Sequence, residues 1–189
     1  GMISLTAANG AVTQSAGSLL GDKVQANALG DVTLTSVTNE INTLAARTTG
    51  ANKTIAFTNS QSLTVGDAGT TSGVTTNSGS ITLTTIGASS DMNLAKPVSA
   101  GDDVVDLLAG RNLTQATAGT ITAGNLRARS TAGAVTLKND ANRFDRLAGS
   151  SANGFAVYGS VNMEVGSVLG TDGVTASDAT LGRVDIQSR

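Results

Sequence analysis

The segment Gly30-Asp31-Val32-Thr33-Leu34 returns about 100 residues later as Gly133-Ala134-Val135-Thr136-Leu137. The match extends upstream, because Val12-Thr13-Gln14 precedes the first copy and Leu113-Thr114-Gln115 precedes the second. A long period with matching landmarks indicates a repeat architecture. The remaining landmark pairs follow in the same order: Asn39 and Asn142, Leu44-Ala45 and Leu147-Ala148, Leu63-Thr64-Val65-Gly66 and Met163-Glu164-Val165-Gly166, Gly73-Val74-Thr75 and Gly173-Val174-Thr175, Ile81-Thr82-Leu83 and Val184-Asp185-Ile186.

Short alternations of apolar and polar residues recur along both copies. Val32-Thr33-Leu34 and Ile81-Thr82-Leu83 are examples, and Gly, Asn, Ser and Asp separate one alternation from the next. Alternation with period 2 predicts half-buried strands, and the separating residues favour turns. No long segment keeps a helical period. The best helical candidate, residues 103–109, fits a strand with a bulge equally well.

Two all-β architectures fit these strands: an antiparallel sandwich or barrel, and a parallel β-solenoid. The antiparallel fold favours Asn-Gly hairpins, but Asn9-Gly10 and Asn153-Gly154 are the only such pairs. Self-similarity across five or more short strands favours solenoid coils, which stack at the ~4.8 Å strand spacing. We therefore predict an all-β, right-handed parallel β-helix of about nine coils. Its expected parts are a first repeat block over 1–85, irregular connecting coils over 86–110 and a second repeat block over 111–189.

The composition excludes several classes of function. The chain has no Cys and no His, which removes disulfides, thiol chemistry and the commonest general base. Twelve basic residues against 14 acidic ones leave no basic surplus, so we expect no nucleic-acid partner. No apolar run approaches the ~20 residues that span a bilayer. We expect no cofactor, no metal and no membrane-spanning segment.

The order and spacing of the motifs resemble the repeat region of filamentous haemagglutinin-like proteins, which are large exoproteins of Gram-negative bacteria. The resemblance covers most of residues 10–85 and, more loosely, 110–189. The motifs that carry it are Ala11-Val12-Thr13-Gln14, Gly30-Asp31-Val32-Thr33-Leu34, Asn39-Glu40-Ile41, Leu44-Ala45-Ala46, Phe57-Thr58-Asn59, Ser62-Leu63-Thr64-Val65-Gly66, Gly73-Val74-Thr75-Thr76 and Gly79-Ser80-Ile81-Thr82-Leu83-Thr84.

The resemblance implies a right-handed parallel β-helix that serves as the shaft of an adhesin. It also implies two-partner secretion, in which an outer-membrane transporter exports the protein to the cell surface or the medium. The implied partners are a receptor or glycan on a host or bacterial cell. A purely structural surface-layer protein is the alternative that needs no receptor.

Four arginines distinguish the second copy from the first: Arg127, Arg129, Arg143 and Arg146. If they share one outer face of the solenoid, they form a candidate binding surface for a polyanion such as a sulfated glycan. Ion pairing on a solvated face is the alternative explanation, because aspartates are interspersed among them.

Asp102, Asp103 and Asp106 are the only dense carboxylates. A β-helix enzyme that cleaves polysaccharides would use such a group as acid, base or calcium ligands. A solvated turn, or the first turn of a short helix, explains the cluster as well. The chain has no Trp for a sugar platform and no His, so we assign no catalytic residue and expect a protein that is not an enzyme. A polysaccharide-active enzyme or a carbohydrate-binding module is the competing hypothesis.

Asn39 and Asn142 occupy equivalent positions in the two copies. Each either turns inward to satisfy backbone groups at a corner of the coil or lies in an ordinary loop. Neither terminus carries an obvious polar cap, so we expect adjacent coils of a longer native protein to cover the end strands.

Overall fold

The computed structural model describes residues 1–178 and 182–188, which form strands and turns without any helix. The fold is therefore all-β. In chain order the strands are β1 (Met2–Ala7), β2 (Val12–Thr13), β3 (Leu20–Ala28), β4 (Val32–Leu34), β5 (Glu40–Ala51), β6 (Ile55–Asn59), β7 (Leu63–Val65), β8 (Asp67–Ala68), β9 (Thr71–Ser72), β10 (Val74–Asn77), β11 (Ile81–Thr85), β12 (Met92–Leu94), β13 (Val98–Ser99), β14 (Val104–Ala109), β15 (Leu113–Gln115), β16 (Ile121–Thr122), β17 (Asn125–Ser130), β18 (Val135–Leu137), β19 (Arg146–Ser151), β20 (Phe155–Gly159), β21 (Glu164–Val165), β22 (Ser167–Val168), β23 (Thr171–Asp172), β24 (Val174–Ala176) and β25 (Val184–Ser188).

Two large sheets of parallel strands carry the fold. The 12-stranded sheet stacks β1, β3, β5, β7, β12, β15, β18, β20 and β25, with β10, β13 and β16 forming a second arm above β5. The 9-stranded sheet stacks β2, β4, β6, β11, β14, β17, β19 and β21, with β24 also paired to β19. The chain passes through both sheets in each coil, and each strand pairs in parallel with the corresponding strand of the preceding coil. The predicted parallel β-helix is thus confirmed, with about 8 turns.

The core lies between the sheets and consists of stacked aliphatic residues. In the 9-stranded sheet each inward side chain sits above its equivalent in the preceding coil, and all members of this stack are at most 1% exposed. Fully burying such a side chain contributes about 1.5–3 kcal/mol, so the stack is a main source of stability. The members are Val32, Ile55, Ile81, Val105, Leu126 and Leu147.

Residues 86–110 supply one complete coil, made of β12, β13 and β14. Met92 pairs with Leu63 below and Leu113 above, so the stack passes from one copy to the next in register. The strand alternative for residues 103–109 is confirmed, because Val104–Ala109 is β14. The solenoid therefore continues through the junction between the copies.

The two copies lie on different sheets. Val32–Leu34 belongs to the 9-stranded sheet, whereas its counterpart Val135–Leu137 belongs to the 12-stranded sheet. Conversely, Leu44 belongs to the 12-stranded sheet, whereas its counterpart Leu147 belongs to the 9-stranded sheet. The repeat of about 100 residues thus contains a non-integral number of turns, and the second copy presents its features on a different face of the rod.

Asn39 points inward and is fully buried, which confirms the first of the two interpretations of this residue. Its Oδ1 accepts hydrogen bonds from Leu19 N at 2.8 Å and Gln14 Nε2 at 2.8 Å. Its Nδ2 donates to Gln14 Oε1 at 3.0 Å and to Thr58 O at 3.1 Å. One side chain thereby satisfies backbone groups of coils below and above it.

The second copy repeats this amide pair with Asn142 and Gln115. Asn142 Oδ1 accepts from Ile121 N at 2.9 Å and Gln115 Nε2 at 2.6 Å. Asn142 Nδ2 donates to Gln115 Oε1 at 3.1 Å and to Tyr158 O at 3.0 Å. The glutamine was visible as a sequence landmark, but only the structure shows that it forms a reciprocal pair with the asparagine.

Carboxylates link successive coils at the turns. Asp91 accepts hydrogen bonds from Arg111 Nε at 2.8 Å and from Asn112 N at 2.9 Å, one coil above it. The hydrogen bond from Arg111 is the main reason why the pKa of Asp91 is lowered from 3.8 to about 2, and the hydrogen bond from Asn112 N lowers it further. Partial burial of the carboxyl group opposes this shift. The charged form of Asp91 is therefore favoured by folding.

This pKa shift predicts a specific acid sensitivity. Because the folded-state pKa is lower than the unfolded one, the stabilisation is fully present above pH ~4 and is lost as the pH falls through ~2. Asp91→Asn should remove this component, so the difference in Tm between wild type and variant should shrink from pH 5 to pH 2. Thermal melts by circular dichroism measure it. Asp172→Asn, which removes one carboxylate at an exposed position, is the matched control.

Candidate binding surface

In each copy of the repeat, one antiparallel hairpin is inserted between two consecutive strands of the solenoid. Hairpin 1 consists of β8 and β9, and hairpin 2 of β22 and β23. A backbone hydrogen bond closes each base, from Gly73 N to Gly66 O at 2.8 Å and from Gly173 N to Gly166 O at 2.9 Å. The two hairpins are thus structural equivalents, and the landmark glycines of the sequence repeat mark their ends.

Hairpin 1 folds back over the outer face of the 12-stranded sheet. Thr70 N donates to Gln25 Oε1 at 3.0 Å, and the Thr71 hydroxyl lies 2.9 Å from Asn27 Nδ2. Ala45 alternates with inward neighbours on β5 and therefore points outward, yet it is 0% exposed because the hairpin packs on this strand. The hairpin is thus docked on the rod, and its base and tip are both held.

Hairpin 2 folds back over the 9-stranded sheet in the same way. Ala148 on β19 is the counterpart of Ala45 and is also 0% exposed. Arg127 takes the position of Gln25 and donates through Nη1 to Leu169 O at the hairpin tip, at 2.8 Å. Leu169 has φ +50 and Gly170 φ +76, the signs of a type I′ turn.

An ion-pair cluster lies beneath the tip of hairpin 2. Asp106 accepts two hydrogen bonds from Arg127, at 2.8 Å from Nε and 2.6 Å from Nη2, and Arg129 Nη2 lies 3.3 Å from Asp106 Oδ1. The side chain of Asp106 is only 7% exposed. The hydrogen bonds that Arg127 donates to Asp106 raise the pKa of the Arg127 guanidinium. One carboxylate therefore holds two guanidinium groups, and the three side chains together carry a net charge of +1.

The four arginines predicted as a binding surface do not act as one free cationic patch. Arg127 and Arg129 share Asp106, and Arg146 pairs with Glu164 at 3.1 Å. Arg143 is exposed at a corner of the coil, bridged through its backbone to Thr122, and carries no ion pair to any residue in the described part of the chain. Among these four, Arg143 alone has no carboxylate partner within the described residues.

The three aspartates proposed for a rival enzyme do not converge. Asp106 is engaged by arginines, and Asp103 Oδ1 accepts from Ser80 Oγ at 2.9 Å and Val104 N at 2.7 Å. Asp102 lies apart at an exposed turn. Across residues 1–178 and 182–188, no three acidic side chains come together as a metal site. No residue in these ranges forms a helix suited to crossing a membrane.

Two polar grooves lie on the outside of the rod, one in each copy, and sequence reasoning missed both. The groove beside hairpin 1 has a volume of about 590 Å³ and is lined by six threonines, one serine, two asparagines and Arg47. The groove of the second copy, of about 510 Å³, is lined mainly by hydroxyl side chains and contains Arg129. Arg129 and Ser150 pair in the second copy as Asn27 and Arg47 do in the first, so the grooves occupy corresponding positions.

A column of outward polar side chains extends from the first groove along the rod. Each member directly follows a buried, inward residue of its coil, so all of them point away from the core. They pair in register and are Asn27, Arg47, Thr75, Ser99, Thr122 and Arg143.

Comparison with known proteins gives no relative: no family model, no curated protein and no solved structure matches the chain.

The contact between Arg127 and Leu169 predicts how hairpin 2 is held. Arg127→Met removes the hydrogen bond to the tip while it keeps the aliphatic stem. We expect amide hydrogen exchange across residues 167–172 to accelerate about tenfold, which corresponds to roughly 1.4 kcal/mol of local stability. Hydrogen exchange with mass spectrometry measures it, and hairpin 1 is the internal control. Unchanged protection of hairpin 2 would show that its packing on β19 suffices.

Proposed function

We propose that this chain is a shaft segment of a secreted or surface-displayed bacterial adhesin of the filamentous haemagglutinin-like class. Its role would be mechanical and adhesive: stacked coils form a stiff rod, and outward side chains and hairpins make contact with another surface. No catalytic step is assigned to it.

The observation that carries the proposal is the continuous parallel solenoid with two docked hairpins on different faces. About 8 turns at ~4.8 Å each give a rod of roughly 38 Å in this segment. Successive coils are joined by ladder hydrogen bonds, stacked aliphatic side chains and buried amide pairs. Such a body resists bending and repeats its surface along one axis, which suits a shaft.

The sequence motifs support the class of protein, since the landmarks that resemble the filamentous haemagglutinin-like repeat are the residues that build the coil. Gln14 and Asn39 form the buried amide pair, and Gly66 and Gly73 close the hairpin. Secretion through an outer-membrane transporter, and a receptor or glycan on a target cell, are parts of the same proposal.

Surface location is tested on the bacterium that produces the protein. Intact cells are treated with an external protease, and the chain is followed with an antibody against the folded protein. We expect the signal in the culture medium or on the cell, where protease removes it while a cytoplasmic marker stays intact. Full protection in intact cells, with digestion only after lysis, would overturn the proposal.

A further inference from the structure

We propose that the column from Asn27 to Arg143 binds an extended acidic oligosaccharide that lies along the rod axis, with Arg47 in the first groove as its main anionic subsite. This inference names the ligand class for the proposed adhesin and rests on that proposal only for its biological setting. The binding itself is argued from the surface.

Charge singles out Arg47 and Arg143 within the column. The arginines at 111, 127, 129, 146 and 183 all pair with carboxylates. Within the described residues, Arg47 and Arg143 are the arginines without an ion pair, and both are exposed. That the two guanidinium groups without a carboxylate partner fall in one register column indicates a surface for a ligand with spaced negative charges.

The first groove provides a built subsite around Arg47. Arg47 stacks in register between Asn27 and Thr75, so it lies on the groove floor. The docked hairpin forms one wall, and the contact between Asn27 and Thr71 fixes that wall against the floor. No carboxylate lines this groove. A volume of about 590 Å³ lies within the range of pockets that hold small ligands.

The lining chemistry favours an acidic saccharide over a neutral one. Hydroxyl groups, including those of Thr70 and Thr75, offer both donors and acceptors to sugar hydroxyls. The groove has no aromatic ring on which a sugar face could stack. Selective affinity must then come from a charge-assisted, bidentate contact between the Arg47 guanidinium and a carboxylate or sulfate group.

The spacing of the column favours an extended chain rather than a single sugar. Arg47 and Arg143 are separated by four coil steps, or ~19 Å at the ~4.8 Å spacing. The side chains between them, from Thr75 through Ser99 to Thr122, are all hydroxyl-bearing. Asp102 and Asp145 line the shallow depression next to Arg143, so this end should attract an anion less strongly than Arg47 does.

The second groove should bind the same ligand only weakly. Its arginine, Arg129, occupies the position of Asn27, and its Ser150 occupies that of Arg47. Asp106 lies beside Arg129, so an anion that binds there meets the negative charge of this carboxylate and gains less than at Arg47. The two grooves thus occupy corresponding positions, while the position and pairing of the arginine differ.

The test is isothermal titration calorimetry at low salt with the wild-type chain and three variants, Arg47→Gln, Arg143→Gln and Arg183→Gln. The probes are a galacturonic acid dimer and octamer, a sulfated dextran oligomer, a neutral maltose oligomer and poly-L-glutamate. Arg183 is 81% exposed and lies outside the column. Arg183→Gln therefore removes one positive charge away from the proposed site, as a control for the charge lost in the other two variants. Circular dichroism confirms that each variant keeps the fold.

We expect saturable binding of an acidic octamer, at least tenfold weakened by Arg47→Gln and unchanged by Arg183→Gln. Arg143→Gln should weaken the octamer several-fold and leave the dimer unaffected, because the dimer reaches only the groove. The tighter of the galacturonate and sulfated probes identifies the preferred anionic group.

Equal affinity of wild type and Arg47→Gln would overturn the proposal, and so would an equal loss in Arg183→Gln. Absence of saturable binding to both acidic saccharides has the same consequence. Binding of the neutral oligomer or of polyglutamate as tightly as the acidic saccharide would refute the ligand class. None of these results bears on surface location, which the protease experiment tests separately.

Discussion

Replacing Asp106 by alanine should lower the free energy of unfolding by about 3 kcal/mol, or roughly 6–12 °C in Tm. The variant leaves Arg127 and Arg129 side by side without their shared carboxylate, at 15% and 26% side-chain exposure. Arg129 Nε is already buried without a hydrogen-bond partner, so this cluster has little water to replace the lost contact. The loss is measured by thermal and urea unfolding.

A second variant distinguishes two causes of this loss of stability. One is the lost attraction between Asp106 and the arginines, and the other is the cost of leaving Arg127 and Arg129 without a carboxylate. If uncompensated charge causes the loss, replacing all three side chains by Asp106→Leu, Arg127→Met and Arg129→Met together should recover most of the stability, because apolar groups of similar volume carry no desolvation cost. If the triple variant is as unstable as Asp106→Ala, the ion pair itself supplies the stability. A change below about 0.5 kcal/mol in Asp106→Ala would contradict the role assigned to the cluster.

Asn142→Ala should destabilise the solenoid by about 3 kcal/mol, because it strands several buried polar groups at once. Ile121 N loses the acceptor Asn142 Oδ1, Tyr158 O loses the hydrogen bond from Asn142 Nδ2, and the amide of Gln115 loses its reciprocal partner. Asn39→Ala should cost a similar amount, since the same bonds recur in the first copy.

The matched control for these asparagines is Asn42→Ala. Asn42 is exposed and its amide bonds to Asp22 and Gln61 on the surface, so its replacement should stay within about 0.5 kcal/mol of wild type. The two buried sites lie several coils apart, and their effects should add in the double variant. Urea unfolding measures all four proteins. A cost for Asn142→Ala no larger than that for Asn42→Ala would contradict the inward amide pair as a source of stability.

The coil was predictable from the sequence because its physics is local and repeated. Val32 and Ile81, in the 9-stranded sheet, and Val135, in the 12-stranded sheet, alternate with polar residues, and each stacks on an apolar residue of the preceding coil. Period 2 and the long repeat therefore both indicate the stacked core. The inward turn of Asn39 was one of two open alternatives, since a buried amide and a loop amide look alike in sequence.

The faces of the solenoid were not predictable in the same way. Whether equivalent residues fall on the same sheet depends on the exact number of residues per turn, and insertions such as hairpin 1 change it locally. The second copy lies on the other sheet for that reason. The alternation of apolar and polar residues and the composition indicate which residues are buried. They do not indicate which face of the rod a given residue occupies.

The ion pairs of the four arginines that were predicted as a binding surface were not predictable from the sequence either. Arg127 and Arg129 follow each other on β17, and Asp106 lies one coil below them, 21 residues away in sequence. Only the register places the carboxylate beneath the guanidinium groups. In the sequence Arg47 does not belong to any cluster of charged residues, yet the strand register aligns it with Arg143 along one column. Contacts between coils thus decide which charges stay free.

Adhesive contact of this rod with another cell is the main function that we propose, and bead attachment tests it most directly. Fluorescent beads are coated with the folded chain, with the same chain after heat denaturation, or with albumin, and are incubated with animal epithelial cells and with bacteria of the producing species. We predict that beads carrying the folded chain attach to at least one of these cell types several-fold more than either control. Attachment no greater than that of albumin-coated beads to both cell types would contradict the claim.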